Sequence, residues 1–460
     1  MTLIKSISGI RGTIGGRPGE SLSPVDIARF TAAYGMWIIR RKSRHRTAIV
    51  VGRDARTTGG LVSSIVVSTL QSLGIDVTDL GLATTPTVEI AVTGLEASGG
   101  IILTASHNPA NWNALKLLNE KGEFLSAADG RDVLEIAESE DFEFSSYEQT
   151  GVLTQDNSWN RKHIEKVLAL KLTDTEAIRA AGFTVAVDCI NSVGGLILPE
   201  LLQRLGVKRV VLLNGESNGL FAHNPEPLPE NLKDISALVM KEKADIGFVV
   251  DPDVDRLAII SEDGSMFGEE YTLVAVSDWI LSHTPGNTVS NMSSTRALKD
   301  ITEKHGGKYF TSAVGEVNVV EEMKLRNAVI GGEGNGGVIY PDIHYGRDAL
   351  AGIALFLSLL ANRKIKCSDL RKSYPGYFIA KKRLTLSEQA DINVILSEVK
   401  KRFSKNTIDE RDGLRIDTEN GWVQIRKSNT EPIIRIYAEA RSEPEANELA
   451  DTVIGIVKNL

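Results

Sequence analysis

The sequence predicts an α/β protein of several domains that closes in a smaller α+β domain. An apolar, β-branched strand runs into a polar loop three times, as TAIVVGRDAR from residue 47, FTVAVDCINSVGG from 183 and ADIGFVVDPDVDR from 244. Continuous apolar strands of this kind are buried on both faces, with helices between them. Helical periodicity duly follows each, in LVSSIVVSTLQSLG (61–74), GLILPELLQRLG (195–206) and YTLVAVSDWILS (271–282). Near the end the pattern changes: GWVQIRKSNTEPIIRIYAEA (421–440) reads as two strands around a tight turn, with an amphipathic helix from Glu443.

Two polar stretches interrupt the alternation, ESEDFEFSSYEQTGVLTQDNSW (138–159) and ANRKIKCSDLRKSYPGYF (361–378), and both read as linkers. At 460 residues the chain is too long for one core. The expected domains are 1–150, 151–256, 257–368 and 369–460. The basic run RRKSRHR, Arg40 to Arg46, is expected to end a helix in water.

Composition excludes several classes of function. Apolar residues make up 42% and charged residues 24%, and no stretch approaches the roughly 18 uninterrupted apolar residues that span a bilayer. With 52 basic and 60 acidic residues, a net charge of −8 offers no general attraction to nucleic acid or an anionic membrane. The N-terminus lacks an apolar signal region, and Cys189 and Cys367 are too few for a disulfide framework, so a reducing cytoplasm is expected.

Five stretches carry chemistry. DPDVDR (251–256) ends the strand IGFVV, and in extended backbone Asp251, Asp253 and Asp255 would share one face. Three converging carboxylates either rise in pKa or are neutralised by a cation, and an all-oxygen set suits a hard ion such as Mg²⁺; a solvated acidic turn is the plainer alternative. TASHNPANWNALK (104–116) exposes Ser106 after an apolar strand, with His107 and Lys116 nearby and no Gly-x-Ser-x-Gly elbow. A serine hydroxyl needs activation to attack an acyl group. It needs less machinery to carry a phosphoryl group beside a metal. The alternatives are a helix-capping turn at ASHNP, a structural hydrogen bond for His107 and an exposed lysine at 116, against a Lys116 whose pKa is lowered enough to move protons.

RKSNTEP (426–432) gathers Arg426, two hydroxyls and an amide on one turn, with Arg435 on the next strand, the make-up of a phosphate cradle. GGEGNGG (331–337) lets backbone approach a ligand while presenting Glu333 and Asn335, and it lacks the Lys-Ser/Thr ending of a nucleotide P-loop. In SISGIRGTIGG (6–16), Arg11 among glycines could reach an anion.

Taken together and in order, these motifs resemble the α-D-phosphohexomutase family across nearly the whole chain. The resemblance implies three similar α/β domains with mixed sheets plus a smaller C-terminal α+β domain around a central cleft. It implies that Ser106 is the phosphoserine and that Asp251, Asp253 and Asp255, with a phosphoserine oxygen, hold one Mg²⁺ per chain. Arg11 and Arg256 would stabilise the phosphoryl group in flight, and Lys116 would be the general base with His107 nearby. Glu333 and Asn335 would grip sugar hydroxyls, while Arg426, Ser428, Asn429, Thr430 and Arg435 hold the phosphate that is not transferred.

The implied reaction interconverts hexose 6-phosphate and 1-phosphate, primed by a hexose 1,6-bisphosphate, in a monomer or homodimer that takes a small sugar phosphate and no nucleic acid or membrane. The sugar loop departs from the common Gly-Glu-x-Ser-Gly-His: Asn335 stands for Ser and Gly337 for His. These variants resemble the archaeal-type phosphoglucosamine and phosphomannose mutases, which points to glucosamine phosphate with broad hexose specificity as the alternative. A metal-dependent sugar phosphatase and a non-catalytic sugar-phosphate binding protein are the remaining readings.

Overall fold

Apolar strands lie inside the two sheets that carry the Ser106 and aspartate motifs, buried through Gly99–Leu103 and Ile246–Val250. The computed structural model describes residues 2–6, 9–41, 47–385, 391–427 and 433–458, which fall into two compact units. The first unit comprises residues 1–272 and 335–368, and the second comprises 273–334 and 369–460.

The first unit holds two mixed sheets. In one, strands Gly99–Leu103, Ala48–Arg53, Asp76–Leu82 and Leu153–Gln155 lie parallel in that order. Trp112–Leu118 runs antiparallel beside Gly99–Leu103, and Gly9–Thr13 and Leu3–Ser6 extend that edge. The helix Pro24–Arg41 covers one face through Phe30, Tyr34 and Trp37, packed with Ile49, Val51, Val66 and Leu70. The described part of the basic run does end this helix, and residues 42–46 lie outside the described residues.

The second sheet repeats the order: Ile246–Val250, Thr184–Asp188 and Arg209–Leu213 are parallel, and Leu257–Ser261 is antiparallel beside Ile246–Val250. Helix Ala349–Arg363 belongs to this unit and is buried from Ala349 to Ala361, in keeping with a stretch that is apolar all round apart from Ser358.

In the second unit, Ala328–Glu333, Asn287–Asn291 and Tyr309–Ser312 form the same parallel order a third time. Its other sheet is antiparallel among the described strands, in the order Phe378–Thr385, Ile433–Ala440, Trp422–Lys427, Leu414–Asp417 and Thr407–Asp409. Helix Glu443–Lys458 packs Ala450, Val453 and Val457 on its core. The predicted α/β class and the terminal α+β domain are both present.

The repeat positions the site. In the first unit each motif loop follows the parallel strand that borders the antiparallel one, TASHNP after Gly99–Leu103 and DPDVDR after Ile246–Val250; in the second unit the residues GGE close strand Ala328–Glu333. Ligands bind outside the carboxyl ends of such strands.

The two predicted linkers are not structureless. Within 138–159, Tyr147–Gln149 forms a 3₁₀ turn and Leu153–Gln155 adds a parallel strand to the first sheet. Within 361–378, helix Ala349–Arg363 runs on to Arg363 and Cys367–Lys372 is helical. Three-residue strands and single helical turns are too short for periodicity to register.

Candidate active site

Ser106 is buried rather than exposed, at 7% of its accessible surface, and its hydroxyl lies 2.7 Å from Asp251 Oδ2, to which it donates. Its backbone is left-handed, at φ 49°, and no helix cap forms there. A non-glycine residue in that region is held by its surroundings. Here the holder is Arg56, wholly buried. It donates from Nη2 to the carbonyls of Ser106 (2.5 Å) and Asn108 (2.7 Å), and from Nη1 to those of Pro109 (2.6 Å) and Trp112 (3.0 Å).

Asp54 fixes Arg56 in turn, accepting from Nε at 3.0 Å, and Thr104 accepts from the Ser106 amide at 2.9 Å while donating to Asp54. Neither Arg56 nor Thr104 was singled out from sequence. The only signal for Arg56 was its place in the polar loop GRDAR after the first strand. Arg56→Lys keeps the charge but loses the fork of four carbonyl contacts. We expect kcat/KM to fall by about tenfold with the circular dichroism spectrum unchanged; unaltered turnover would mean that the Ser106 loop holds its shape without the fork.

The three aspartates converge, though not for the reason extended backbone suggested. The strand stops at Val250, and residues 251–256 turn, with Val254 at φ 60°. Backbone amides of Asp255 and Arg256 donate to Asp251 Oδ1 at 3.2 and 3.1 Å. Thr85 donates to Asp253 Oδ2 at 2.6 Å through its hydroxyl, and its amide donates to the Asp253 carbonyl.

All three carboxylates are fully buried, and each offers an oxygen within 4.8 Å of the others. Oδ1 of Asp253 and Oδ1 of Asp255 are buried and accept no hydrogen bond among the described residues. Buried carboxylate oxygens without donors fit a hard cation. The solvated acidic turn is therefore set aside, and the triad together with Ser106 Oγ suits an oxygen-coordinated metal.

The local charges set the protonation states. Burial and the neighbouring Asp255 and Asp253 push the Asp251 carboxyl well above the usual carboxylate range. Asp253 moves down: burial opposes ionisation, but the ion pair with Lys116 Nζ at 2.7 Å outweighs it. Lys116 is not an exposed lysine. Burial pulls its pKa down, but Asp253 and Asp255 (3.7 Å) more than compensate, so it is raised and not lowered as the sequence suggested. His107 Nδ1 lies 3.4 Å from Ser106 Oγ, and Arg256, burial and Arg347 hold its imidazole neutral, well below its ordinary value. Arg11, on strand Gly9–Thr13, is lowered by burial and by Arg256.

Asn335 belongs to the first unit, where its Oδ1 accepts from the Gly337 amide at 3.2 Å. In the second unit, Glu333 is buried and accepts from Asn291 Nδ2 at 2.8 Å and the Gly315 amide at 3.3 Å. Also in that unit, Arg426 and Arg435 stand directly opposite each other on paired strands, and Arg383 stands opposite Arg435 on the next. Like charges in register repel, so a row of three arginines is suited to an anion. Arg426 Nη1 is 3.3 Å from Asp412 Oδ2. Arg383 was not foreseen, because register is invisible in sequence. Ser428, Asn429 and Thr430 lie outside the described residues.

Among the described residues no helix is long and apolar enough to cross a membrane. All four domains of the phosphoglucomutase/phosphomannomutase family match the chain: α/β/α domain I over residues 3–144, II over 161–264, III over 268–377 and the C-terminal domain over 382–456. A phosphoglucomutase/phosphomannomutase of Thermococcus kodakarensis is 36% identical over 97% of this chain and 98% of its own. A probable phosphoglucosamine mutase of Methanopyrus kandleri is 33% identical over 98% and 97%. The crystal structure of a phosphoglucomutase/phosphomannomutase family protein from Burkholderia thailandensis superimposes with a TM-score of 0.84 at 25% identity, covering 99% of this chain and 98% of that one.

Proposed function

The chain belongs to the phosphoglucomutase/phosphomannomutase family and is a phosphohexomutase, an isomerase; from that premise we propose that it interconverts glucosamine 6-phosphate and glucosamine 1-phosphate through phosphorylated Ser106 and a hexose 1,6-bisphosphate. The observation that carries the mechanism is the Ser106 hydroxyl 2.7 Å from Asp251, inside an acidic triad that Lys116 also touches.

Asp251, Asp253, Asp255 and the Ser106 oxygen are the ligands proposed for one Mg²⁺. When bound, that ion offsets the negative charge of a phosphoryl group on the serine. The Arg56 fork holds the loop that aims the serine, and Arg11 and Arg256 supply charge along the path of the phosphoryl group. Lys116 starts protonated; loosening its contact with Asp253 and Asp255 lowers its hold on the proton, the condition in which Nζ accepts the hydrogen of an attacking sugar hydroxyl. Neutral His107, with Nδ1 3.4 Å from Ser106 Oγ, can donate a hydrogen bond to that oxygen from its Nδ1–H tautomer. Glu333 and Asn335 are assigned to sugar hydroxyls. Arg426 and Arg435, with Ser428, Asn429 and Thr430, are assigned to the phosphate that stays in place, and Arg383 extends the row. A grip on a second phosphate favours a mutase over a phosphatase, which needs only one.

Glucosamine phosphate comes first because relatives over nearly the full chain carry that specificity in their names. The relative named phosphoglucomutase/phosphomannomutase makes glucose and mannose phosphates the second reading. With Mg²⁺ and bisphosphate primer, kcat/KM is expected to be highest for glucosamine 6-phosphate, by about tenfold or more, since one mismatched polar group in a site costs at least that. Equal rates for glucose 1-phosphate and mannose 1-phosphate would establish a general hexose mutase instead. A cytoplasmic monomer or homodimer is proposed with this reading.

A further inference from the structure

We propose that Arg347 binds the phosphoryl group carried by Ser106, in the space that Gly337 leaves open. The inference rests on the mutase reading and concerns a residue that none of the motifs contains.

Three features point to it. Gly337 stands where the common sugar loop carries histidine, and a Cβ built on it would lie 2.3 Å from Arg347 Cδ and 3.0 Å from Cγ. The stem of Arg347 thus fills the direction a side chain at 337 would take, so a glycine at 337 and an arginine at 347 go together. The guanidinium is buried, with Arg347 7% exposed, and Nη2 is 2.7 Å from Asp255 Oδ2. That places it against the carboxylate cluster whose Asp251 receives the Ser106 hydroxyl.

Charge then requires an anion. Asp255 alone faces Arg347, Lys116 at 3.7 Å and Arg256 at 4.0 Å. Three carboxylates already meet three close cations, with Arg11 coupled to Arg256 beside them. A divalent cation on the triad leaves the site strongly positive, and a phosphoserine dianion restores the balance. A forked guanidinium matches phosphate oxygens in a way a point charge does not.

The backbone of Arg347 is also fixed. It bridges Ile339, and the next residue, Asp348, caps helix Ala349–Arg363 through the amides of Leu350 and Ala351. A group held this firmly suits electrostatic stabilisation that needs no reorganisation.

The test uses the full-length enzyme and two readouts at several Mg²⁺ concentrations. Isomerisation is followed with the best hexose phosphate. Phosphorylation of Ser106 is measured by intact mass at equilibrium in a fixed mixture of glucose 1,6-bisphosphate and glucose 6-phosphate. Arg347→Gln is expected to lower kcat/KM by about a hundredfold and the ratio of phosphorylated to free Ser106 by about tenfold, at saturating Mg²⁺. Arg347→Lys is expected to fall between the two enzymes in both. Wild-type values in both readouts for either variant would overturn the inference, as would full recovery of Arg347→Gln at high Mg²⁺, which would confine Arg347 to holding Asp255. A wild-type enzyme that neither isomerises the sugar nor takes phosphate on Ser106 would instead defeat the mutase reading.

Discussion

Replacing Ser106 with alanine is expected to lower kcat/KM for isomerisation by at least about 10⁴-fold, the scale of losing a covalent nucleophile. The alanine removes the only atom proposed to carry the phosphoryl group. It leaves the Arg56 fork intact, because that fork binds main-chain carbonyls and not the hydroxyl. The loop therefore keeps its path, and a loss of rate cannot be blamed on misfolding. Treating the variant with hexose 1,6-bisphosphate should leave its intact mass unchanged, whereas the wild-type chain gains one phosphoryl group. Turnover close to wild type would mean that the phosphoryl group travels by another route.

Asp348→Asn is expected to destabilise the protein by about 3–5 kcal/mol, the range for breaking a buried ion pair from one side. Asp348 is wholly buried and accepts from His163 Nε2 at 2.9 Å and His344 Nε2 at 3.2 Å. His344 Nδ1 in turn lies 3.1 Å from Glu89 Oε2, and Thr87 meets His163 Nδ1 at 2.9 Å. Asparagine caps a helix about as well as aspartate, so the substitution removes the charge and leaves the cap.

The pH dependence follows from the same network. Burial pulls the His344 imidazole down, but Asp348 and Glu89 raise it from 6.5 to about 10. A folded pKa above the unfolded one stabilises fully below pH 6.5, and the contribution is lost as pH rises through about 10. Asp348 is depressed below its ordinary 3.8 by the two histidines despite its burial, so its contribution is present above that pH and lost in acid. The stability of the wild-type chain to urea should fall between pH 7 and 10, and Asp348→Asn should flatten that decline. An unchanged slope would place the pH dependence elsewhere.

The motifs were legible because each is contiguous: three aspartates in six residues, a serine just after an apolar strand, an arginine close to Ser-Asn-Thr in sequence. The alternation of apolar strand and periodic helix disclosed the class of fold for the same reason. What sequence could not convey is contact across long separations. Arg56 meets the Ser106 loop fifty residues away, and Arg347 meets Asp255 ninety-two residues away. Both look like ordinary polar residues in their own segments. Lys116 shows the limit differently: its pKa direction depends on two carboxylates 137 and 139 positions later, and these reverse the shift that its burial alone implies. Short elements were lost too, since the strand Leu153–Gln155 has no room to show a period.

The first unit is discontinuous in the chain, and this orders its assembly on the ribosome. When residue 272 has been made, Ser106, Lys116 and the three aspartates all exist, yet residues 335–368 do not. At that moment His163 lacks Asp348, Asp255 lacks Arg347, and the apolar surface that helix Ala349–Arg363 will cover is bare. The nascent chain must carry this unfinished surface through the synthesis of more than sixty intervening residues that belong to the other unit. The reaction centre is thus completed only late in translation, and a chain that stops early presents an adhesive surface in place of an enzyme.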